Sequence, residues 1–207
     1  MLRSTLAISL AVASFVALVW QSPWAQAGQY NAVRNIGDPA PEWKNLPGTD
    51  GQQHSLADLQ KSKVVVVVFT CNRCPVATDY EDRIIAMAKK YADRVAVVAI
   101  NVNKVPEDRL EKMKERAEKK GFPFVYLFDE TQQIAKDFGA AFTPEFFVLG
   151  PDRKIVYMGG MDDNSNPDQV SESFLDPAID AALAGTKPAV AEAVARGCRI
   201  RFARERR

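Results

Sequence analysis

Short β-branched runs alternate with stretches of helically spaced apolar positions along the chain. Residues 64–69 are five valines and a phenylalanine, a run too short to form a helix of its own. Such a run is typical of a strand that is buried on both faces of a sheet. Residues 72–92 then show helical spacing, and residues 94–102 form a second apolar run. The pattern therefore predicts strand, helix and strand in succession.

The rest of the chain adds further helices, one more strand and a β-hairpin. Residues 107–120 predict a helix whose charged pairs, such as Asp108 and Lys112, are interpreted as a solvated face. The acidic segment 162–168 is interpreted as a solvated loop, since it lacks the glycine and terminal glutamate of a calcium loop. Further elements are predicted at 122–128 (strand), 129–138 (helix), 145–149 with 155–158 (hairpin), 173–184 (helix) and 189–195 (one more helical turn). This order favours an α/β fold with a central mixed β-sheet and helices on both faces.

The first 27 residues have the features of an export signal. Arg3 gives a basic start, residues 6–20 are apolar apart from two serines, and Ala25-Gln-Ala27 is a small-x-small cleavage site. The alternative is an uncleaved anchor, but the apolar stretch is shorter than the ~20 residues that a spanning helix needs. We therefore expect residues 1–27 to be a signal peptide and the product to be exported, to the periplasm or another extracytoplasmic compartment.

Length and charge limit the number of domains and the classes of binding partner. Residues 28–207 have the size of one ordinary domain, with a basic C-terminal tail at residues 196–207 whose arginines are interpreted as solvating the terminus. The chain has 27 basic and 26 acidic residues, a formal net charge of +1. This balance favours neither nucleic acid nor anionic lipid as a partner. Membrane contact is expected only through an uncleaved leader, if at all.

Cys71 and Cys74 follow the valine strand directly. A Cys-x-x-Cys pair can be half of a zinc site, two inert buried thiols or a redox pair. A zinc site needs two more ligands, and only Cys198 and His54 remain, both far away in the sequence. Because a buried strand precedes the pair, the pattern favours redox chemistry.

The predicted helix places Cys71 at or just before a helix N-terminus. Free N–H groups and the helix dipole stabilise a thiolate there, and Arg73 adds a positive charge between the two sulfurs. Cys74 is close enough to form a disulfide with Cys71. The hypothesis is that Cys71 attacks as a thiolate and Cys74 then closes the disulfide.

With these residues the chain resembles the thioredoxin-like superfamily. It is most similar to the redoxin branch that includes alkyl hydroperoxide reductase and thiol-specific antioxidant proteins, and to peroxiredoxin-like proteins that carry a Cys-x-x-Cys motif. The resemblance runs from about Asn35 to Phe202. It is carried by Phe69-Thr-Cys-Asn-Arg-Cys-Pro-Val76, Asp129-Glu-Thr-Gln132 with Phe138-Gly139, Thr143-Pro-Glu-Phe-Phe147, Tyr157-Met-Gly-Gly160 with Asp162-Asp163, and Gly197-Cys-Arg-Ile-Arg-Phe202.

The resemblance implies a thioredoxin-like fold and two further site residues. Pro144 corresponds to a cis-proline that faces the two cysteines. It holds the backbone of Thr143 beside the sulfurs, where that backbone can pair with an incoming extended substrate. With Cys71, Cys74 and Arg73 from the motif itself and Thr143 and Pro144 from the resemblance, the predicted catalytic set is complete, with no cofactor and no metal expected.

The chain also departs from its relatives. Thioredoxins carry a buried acid in the strand before the cysteines, but residues 64–68 are all valine. Deprotonation of Cys74 must then use water or another group, for which Glu145 is a candidate. Peroxiredoxins bind peroxide with a Pro-x-x-x-Thr-x-x-Cys frame. Val68 stands three residues before Cys71, and Cys71 itself three before Cys74, so neither cysteine has that threonine.

The predicted function is thiol–disulfide exchange with disulfide or dithiol proteins, sustained by a thiol reductant donor. One alternative is a slow thiol-dependent peroxidase. Another is a Cu(I) carrier, since thiolates suit Cu(I). The copper-delivery relatives, however, use Cys-x-x-x-Cys and a downstream histidine, whereas His54 lies upstream.

The sequence leaves two interpretations of Cys198 open. It is either a thiol buried under the C-terminal segment or an extra redox partner for the pair. Nothing in the sequence fixes its distance from Cys71.

Overall fold

Strands and helices alternate along residues 28–203, the part of the chain that the computed structural model describes. The predicted signal peptide (residues 1–27) lies outside these residues. The strands are β1 (Leu46–Pro47), β2 (Gln53–His54), β3 (Val64–Thr70), β4 (Val95–Asn101), β5 (Val125–Phe128), β6 (Phe142–Thr143), β7 (Glu145–Leu149), β8 (Ile155–Gly159) and β9 (Cys198–Arg199). The α-helices are α1 (Pro75–Tyr91), α2 (Leu110–Lys120), α3 (Gln133–Phe138) and α4 (Leu175–Ala184).

The valine run forms the middle strand of the main sheet. Within residues 28–203 this sheet has five strands in the order β5-β4-β3-β7-β8. β3 is parallel to β4, and β4 to β5, whereas β7 is antiparallel to both β3 and β8. All seven residues of β3 are buried, as a strand covered on both faces requires. The predicted mixed sheet is confirmed.

Successive side chains of β3 enter two different cores. Val64, Val66 and Val68 pack with α1 and α4 on one face of the sheet. Val65, Val67 and Phe69 pack on the other face, with α3 and the N-terminal segment. This division follows from the alternation of side chains along a strand, and it confirms the prediction of helices on both faces. No helix between residues 28 and 203 combines the length and apolarity that a membrane crossing requires.

All four described α-helices begin later than the sequence pattern predicts, with α3 at Gln133 rather than 129 and α4 at Leu175 rather than 173. α1 begins at Pro75, and Cys74 is its N-cap residue with an extended backbone. A proline at the first helical position lacks the N–H that would be unpaired there, which fixes this start. α2 begins at Leu110, because the preceding residues form a separate 3₁₀ helix, Pro106–Asp108.

Two acids that the sequence predicts as solvated are buried, and one segment that it predicts as helical is extended. Asp108 is fully buried, and Asp162 is buried and accepts a hydrogen bond from the Tyr80 hydroxyl over 2.7 Å. The helical turn predicted at residues 189–195 is wrong. That segment runs beside β8, where the Ala193 N–H donates to the Met158 carbonyl oxygen over 3.1 Å.

Candidate active site

The fold brings both cysteines and the Thr143–Pro144 pair to one end of β3. Cys71 follows β3, and β7 lies antiparallel to β3 with Phe69 opposite Glu145. The two residues before Glu145 are therefore held against the cysteines. The sulfur of Cys71 lies 3.4 Å from the Thr143 hydroxyl oxygen, and that of Cys74 lies 3.2 Å from the Thr143 carbonyl oxygen.

The Thr143–Pro144 peptide bond is cis, as the resemblance implies. Both cysteines are free thiols, exposed by only 2% and 4% of their surfaces. They pack against Ala77 and Val76 at the start of α1, and against Cys198. The site is thus a small buried group of thiols beside one strand edge.

The two thiols lie close enough that each shifts the pKa of the other. Ionisation is favoured at Cys74: the Cys71 thiol donates to it, and the Ala77 N–H donates to it over 3.3 Å. Together with Cys198, these donors lower the pKa of Cys74 to about 5, against the opposing effect of burial. The hydrogen bond that the protonated Cys74 donates to Thr143 is given up on ionisation, but the stabilising donors remain.

The same contacts raise the pKa of Cys71. Its hydrogen bond to Cys74 and its burial favour the protonated form of Cys71, and the negative charge of Asp108 acts in the same direction. The Thr143 hydroxyl lowers the pKa, but by less than either of the first two effects raises it. These contacts favour the thiolate at Cys74, whereas the sequence predicts it at Cys71. The physical reason is the later start of α1, which places Cys74 rather than Cys71 at the helix N-terminus.

Arg73 does not have the role that its position in the sequence predicts. Its side chain is 63% exposed, and Nη1 lies 3.7 Å from a carboxylate oxygen of Glu107. Solvent and this partner screen its charge from the buried sulfurs. Arg73 is not among the main causes of the pKa shift of Cys71.

Asp108 holds the loop between the two cysteines, a role that the sequence analysis missed. Its Oδ1 accepts the backbone N–H groups of Asn72 and Arg73, the latter over 3.3 Å. The side chains of Asn101 and Asn103 donate to the same carboxyl group over 3.1 Å and 3.2 Å. The signal in the sequence is the pair of asparagines at the end of the strand next to β3.

Asp108→Ala should destabilise the fold. The change leaves four buried or half-buried donors without their acceptor, and one such unpaired group costs ~1–3 kcal/mol. We expect a loss of about 3 kcal/mol or more in the free energy of unfolding, measured with urea. The neighbouring Glu107→Ala is the matched control, since its exposed side chain predicts a change within about 0.5 kcal/mol. Equal effects of the two changes would contradict this role of Asp108.

Glu145 supports β6. Its carboxyl oxygen accepts the N–H groups of Ala141 and Phe142 over 2.7 Å and 2.9 Å. Burial raises its pKa to about 7, against the lowering effect of those two bonds. The described hydrogen bonds of Glu145 go to this backbone, so its carboxyl group positions the segment next to Thr143. That Glu145 also deprotonates Cys74 stays a prediction.

Glu145→Gln should remove a pH dependence of stability. Because its folded pKa lies above the ordinary value of 4.5, the folded state binds the extra proton between about pH 4.5 and pH 7. Stability should therefore fall as pH rises through this window, by about 3 kcal/mol in total from this group. Urea unfolding at several pH values measures the slope. Glu42→Gln, an exposed change, is the control, and an unchanged slope in Glu145→Gln would contradict the buried titration.

Residues 36–158 match the sequence model of the AhpC/TSA family. The chain belongs to the AhpC/TSA family. It is 30% identical over 103 residues to "Peroxiredoxin Bcp" of Escherichia coli K12, a match that covers 50% of this chain and 63% of that protein, less than two thirds of its length.

Two solved structures extend the comparison over most of the chain. An uncharacterized conserved protein from Geobacillus kaustophilus is 34% identical, with a TM-score of 0.78 over 83% of this chain and 94% of its own. A putative thioredoxin from Neisseria meningitidis is 26% identical, with a TM-score of 0.54 over 70% of this chain and 91% of its own. The fold is thioredoxin-like, and the family supports a thiol redox role and redox enzyme activity in general.

Proposed function

We propose that this AhpC/TSA-family protein is an exported thiol–disulfide oxidoreductase that cycles a Cys71–Cys74 disulfide with partner proteins. One observation supports this most strongly: two neighbouring free thiols, one of them the N-cap of α1, both contact Thr143. Export rests on the sequence of residues 1–27 alone.

The proposed cycle begins with the thiolate of Cys74. It attacks one sulfur of a partner disulfide, and the other partner sulfur leaves as a thiolate and takes up a proton. Cys71 then gives up its proton and attacks Cys74, which closes the Cys71–Cys74 disulfide and releases the second partner thiol. Two electrons pass to the partner, and an external thiol donor reduces the protein again. Each step uses sulfur alone and needs no cofactor or metal.

Thr143 provides the docking edge in this proposal. Its backbone lies beside both sulfurs, and an extended peptide can bind such an edge by adding a strand. The partners are then proteins whose disulfide or dithiol lies in an extended, accessible segment. The reverse sequence of steps would oxidise a dithiol partner.

A slow thiol peroxidase is the second candidate. The similarity to "Peroxiredoxin Bcp" favours it. The missing threonine three residues before each cysteine opposes it, since that residue belongs to the peroxide-binding frame of the family. The copper alternative needs only the thiolates of Cys71 and Cys74 and stays a prediction.

Reduction of insulin disulfides by dithiothreitol tests the proposal. The wild-type protein should accelerate the reaction, and the double variant Cys71→Ser/Cys74→Ser should return it to the uncatalysed rate while remaining folded by circular dichroism. No acceleration by the wild type would contradict the proposal. In a parallel assay, consumption of hydrogen peroxide faster than by a simple thiol would favour the peroxidase instead.

A further inference from the structure

The chain's own C-terminal strand occupies the docking edge of Thr143. β9 pairs antiparallel with β6, with Cys198 opposite Thr143 and Arg199 opposite Phe142. This is the edge on which an incoming extended substrate would add a strand. A segment of the same chain therefore lies where a partner peptide is expected, and the residue it presents there is a cysteine.

The C-terminal segment is fixed in this position by several contacts. The Ile200 N–H donates to the Ala141 carbonyl oxygen over 2.9 Å, and the Ile200 side chain is buried in the core next to β3. The Gln132 side chain donates to the Arg201 carbonyl oxygen over 3.1 Å and accepts the Ala203 N–H over 2.8 Å. The arginines at positions 196, 199 and 201 are exposed, as the sequence predicts, but the backbone of this segment is held against the rest of the protein.

Gly197 allows the close approach of this segment. A Cβ atom at this position would lie 2.0 Å from the Thr143 carbonyl oxygen and 3.1 Å from the backbone nitrogen of Pro144. Both are backbone atoms that cannot rotate away. The absence of a side chain at Gly197 therefore lets the next residue reach the sulfurs.

Cys198 lies against the thiol pair. It packs on the group formed by Cys71, Cys74 and Ala77. Burial and the interaction with a negatively charged Cys74 raise the pKa of Cys198 to about 11, although the Val76 N–H at the start of α1 acts in the opposite direction. The effect of the Cys74 charge disappears once Cys74 is part of a disulfide.

We propose that Cys198 is a third redox thiol, which exchanges with the Cys71–Cys74 disulfide from the position of a bound substrate. The sulfur of Cys198 attacks that of Cys74, a Cys74–Cys198 bond forms, and the Cys71–Cys74 bond breaks. The proton of Cys198 passes to the leaving sulfur of Cys71. The protein gains and loses no electrons in this step, so it needs no co-reactant. Because it starts from the Cys71–Cys74 disulfide, it rests on the proposed function.

This exchange gives β9 a chemical role. It moves the disulfide to the C-terminal segment and frees Cys71 as a thiol. A partner that displaces β9 from Thr143 meets the Cys71–Cys74 form, whereas the Cys74–Cys198 form keeps the docking edge closed.

Trypsin makes the exchange directly measurable, since it cleaves after Arg73 and separates the three cysteines into the peptides 64–73, 74–83 and 197–199. The protein is equilibrated in an oxidising glutathione buffer, quenched with acid and N-ethylmaleimide, and digested. We expect peptide 74–83 linked to 64–73 and also to 197–199 in wild type. In Cys71→Ser, oxidation by glutathione should link 74–83 to 197–199 almost completely.

Two comparisons make the result decisive. The fraction of peptide 74–83 linked to 197–199 should be larger in the folded protein than in protein oxidised in urea, because unfolding separates Cys74 from Cys198. Full alkylation of Cys198 in both oxidised wild type and Cys71→Ser would overturn the proposal. In Cys198→Ser, the absence of the 64–73 to 74–83 link would instead contradict the proposed function, so the two failures are distinct.

Discussion

In a Cys198→Ser background, Cys74→Ser should abolish insulin reduction without capturing the substrate, whereas Cys71→Ser should abolish turnover and trap insulin chains in a mixed disulfide. In this exchange the thiolate attacks the substrate disulfide, and the remaining thiol then breaks the mixed disulfide and releases the substrate. The Ala77 N–H and the thiol of Cys71 stabilise a thiolate at Cys74, and a serine at position 71 keeps a hydroxyl donor beside it. Non-reducing gel electrophoresis and peptide mass measurement detect the trapped species.

The rate of alkylation gives a second measurement of this assignment. Because the pKa of Cys74 is lowered to about 5, its reaction with iodoacetamide should rise through that pH and stay level near neutrality. Cys74→Ser should lose this phase. Trapping by Cys74→Ser instead of Cys71→Ser would restore Cys71 as the attacking residue, as the sequence alone predicts, and would contradict the electrostatic assignment.

Gly197→Ala should release the C-terminal strand from the docking edge. The added methyl group would lie 2.0 Å from the Thr143 carbonyl oxygen, so the strand has to move. Forcing an extra methyl group into a packed site costs ~1–3 kcal/mol, which corresponds to a roughly 5- to 150-fold rise in the population with β9 displaced. We expect alkylation of Cys74 to accelerate by such a factor and the Cys74–Cys198 linkage to fall.

Gly150→Ala is the matched control for this change. A Cβ atom there would lie 3.3 Å from Cγ1 of Val156, on a part of the fold away from the cysteines. Its alkylation rate should equal that of wild type. An unchanged rate in Gly197→Ala as well would show that β9 does not cover the thiols in solution.

Much of the fold follows from simple patterns in the sequence. The valine run can only be a strand covered on both faces, and α3 and α4 end at Gly139 and Gly185, whose left-handed backbone conformation favours glycine. The positions of Thr143 and Pro144 beside the cysteines came from the resemblance rather than from spacing. Periodicity carries no information on contacts between residues so distant in the chain.

The errors arose where a single residue decides the local structure. Pro75 moves the helix start by three residues from the predicted position 72, and this transfers the favoured thiolate from Cys71 to Cys74. Asp108 shares the spacing of an exposed helical charge, yet it is buried by donors from a distant loop. Cys198 is placed by strand pairing across more than fifty residues of sequence, which no local pattern reveals.

The redox equilibrium of Cys71 and Cys74 tests the central claim most directly. The Cys198→Ser variant is equilibrated across a series of glutathione redox buffers, alkylated and analysed by peptide mass. The account predicts that both cysteines lose their reactivity together in one reversible two-electron transition, with peptide 64–73 linked to 74–83 at the oxidising end. Cysteines that stay independently alkylated, or that form only separate glutathione adducts, would contradict it.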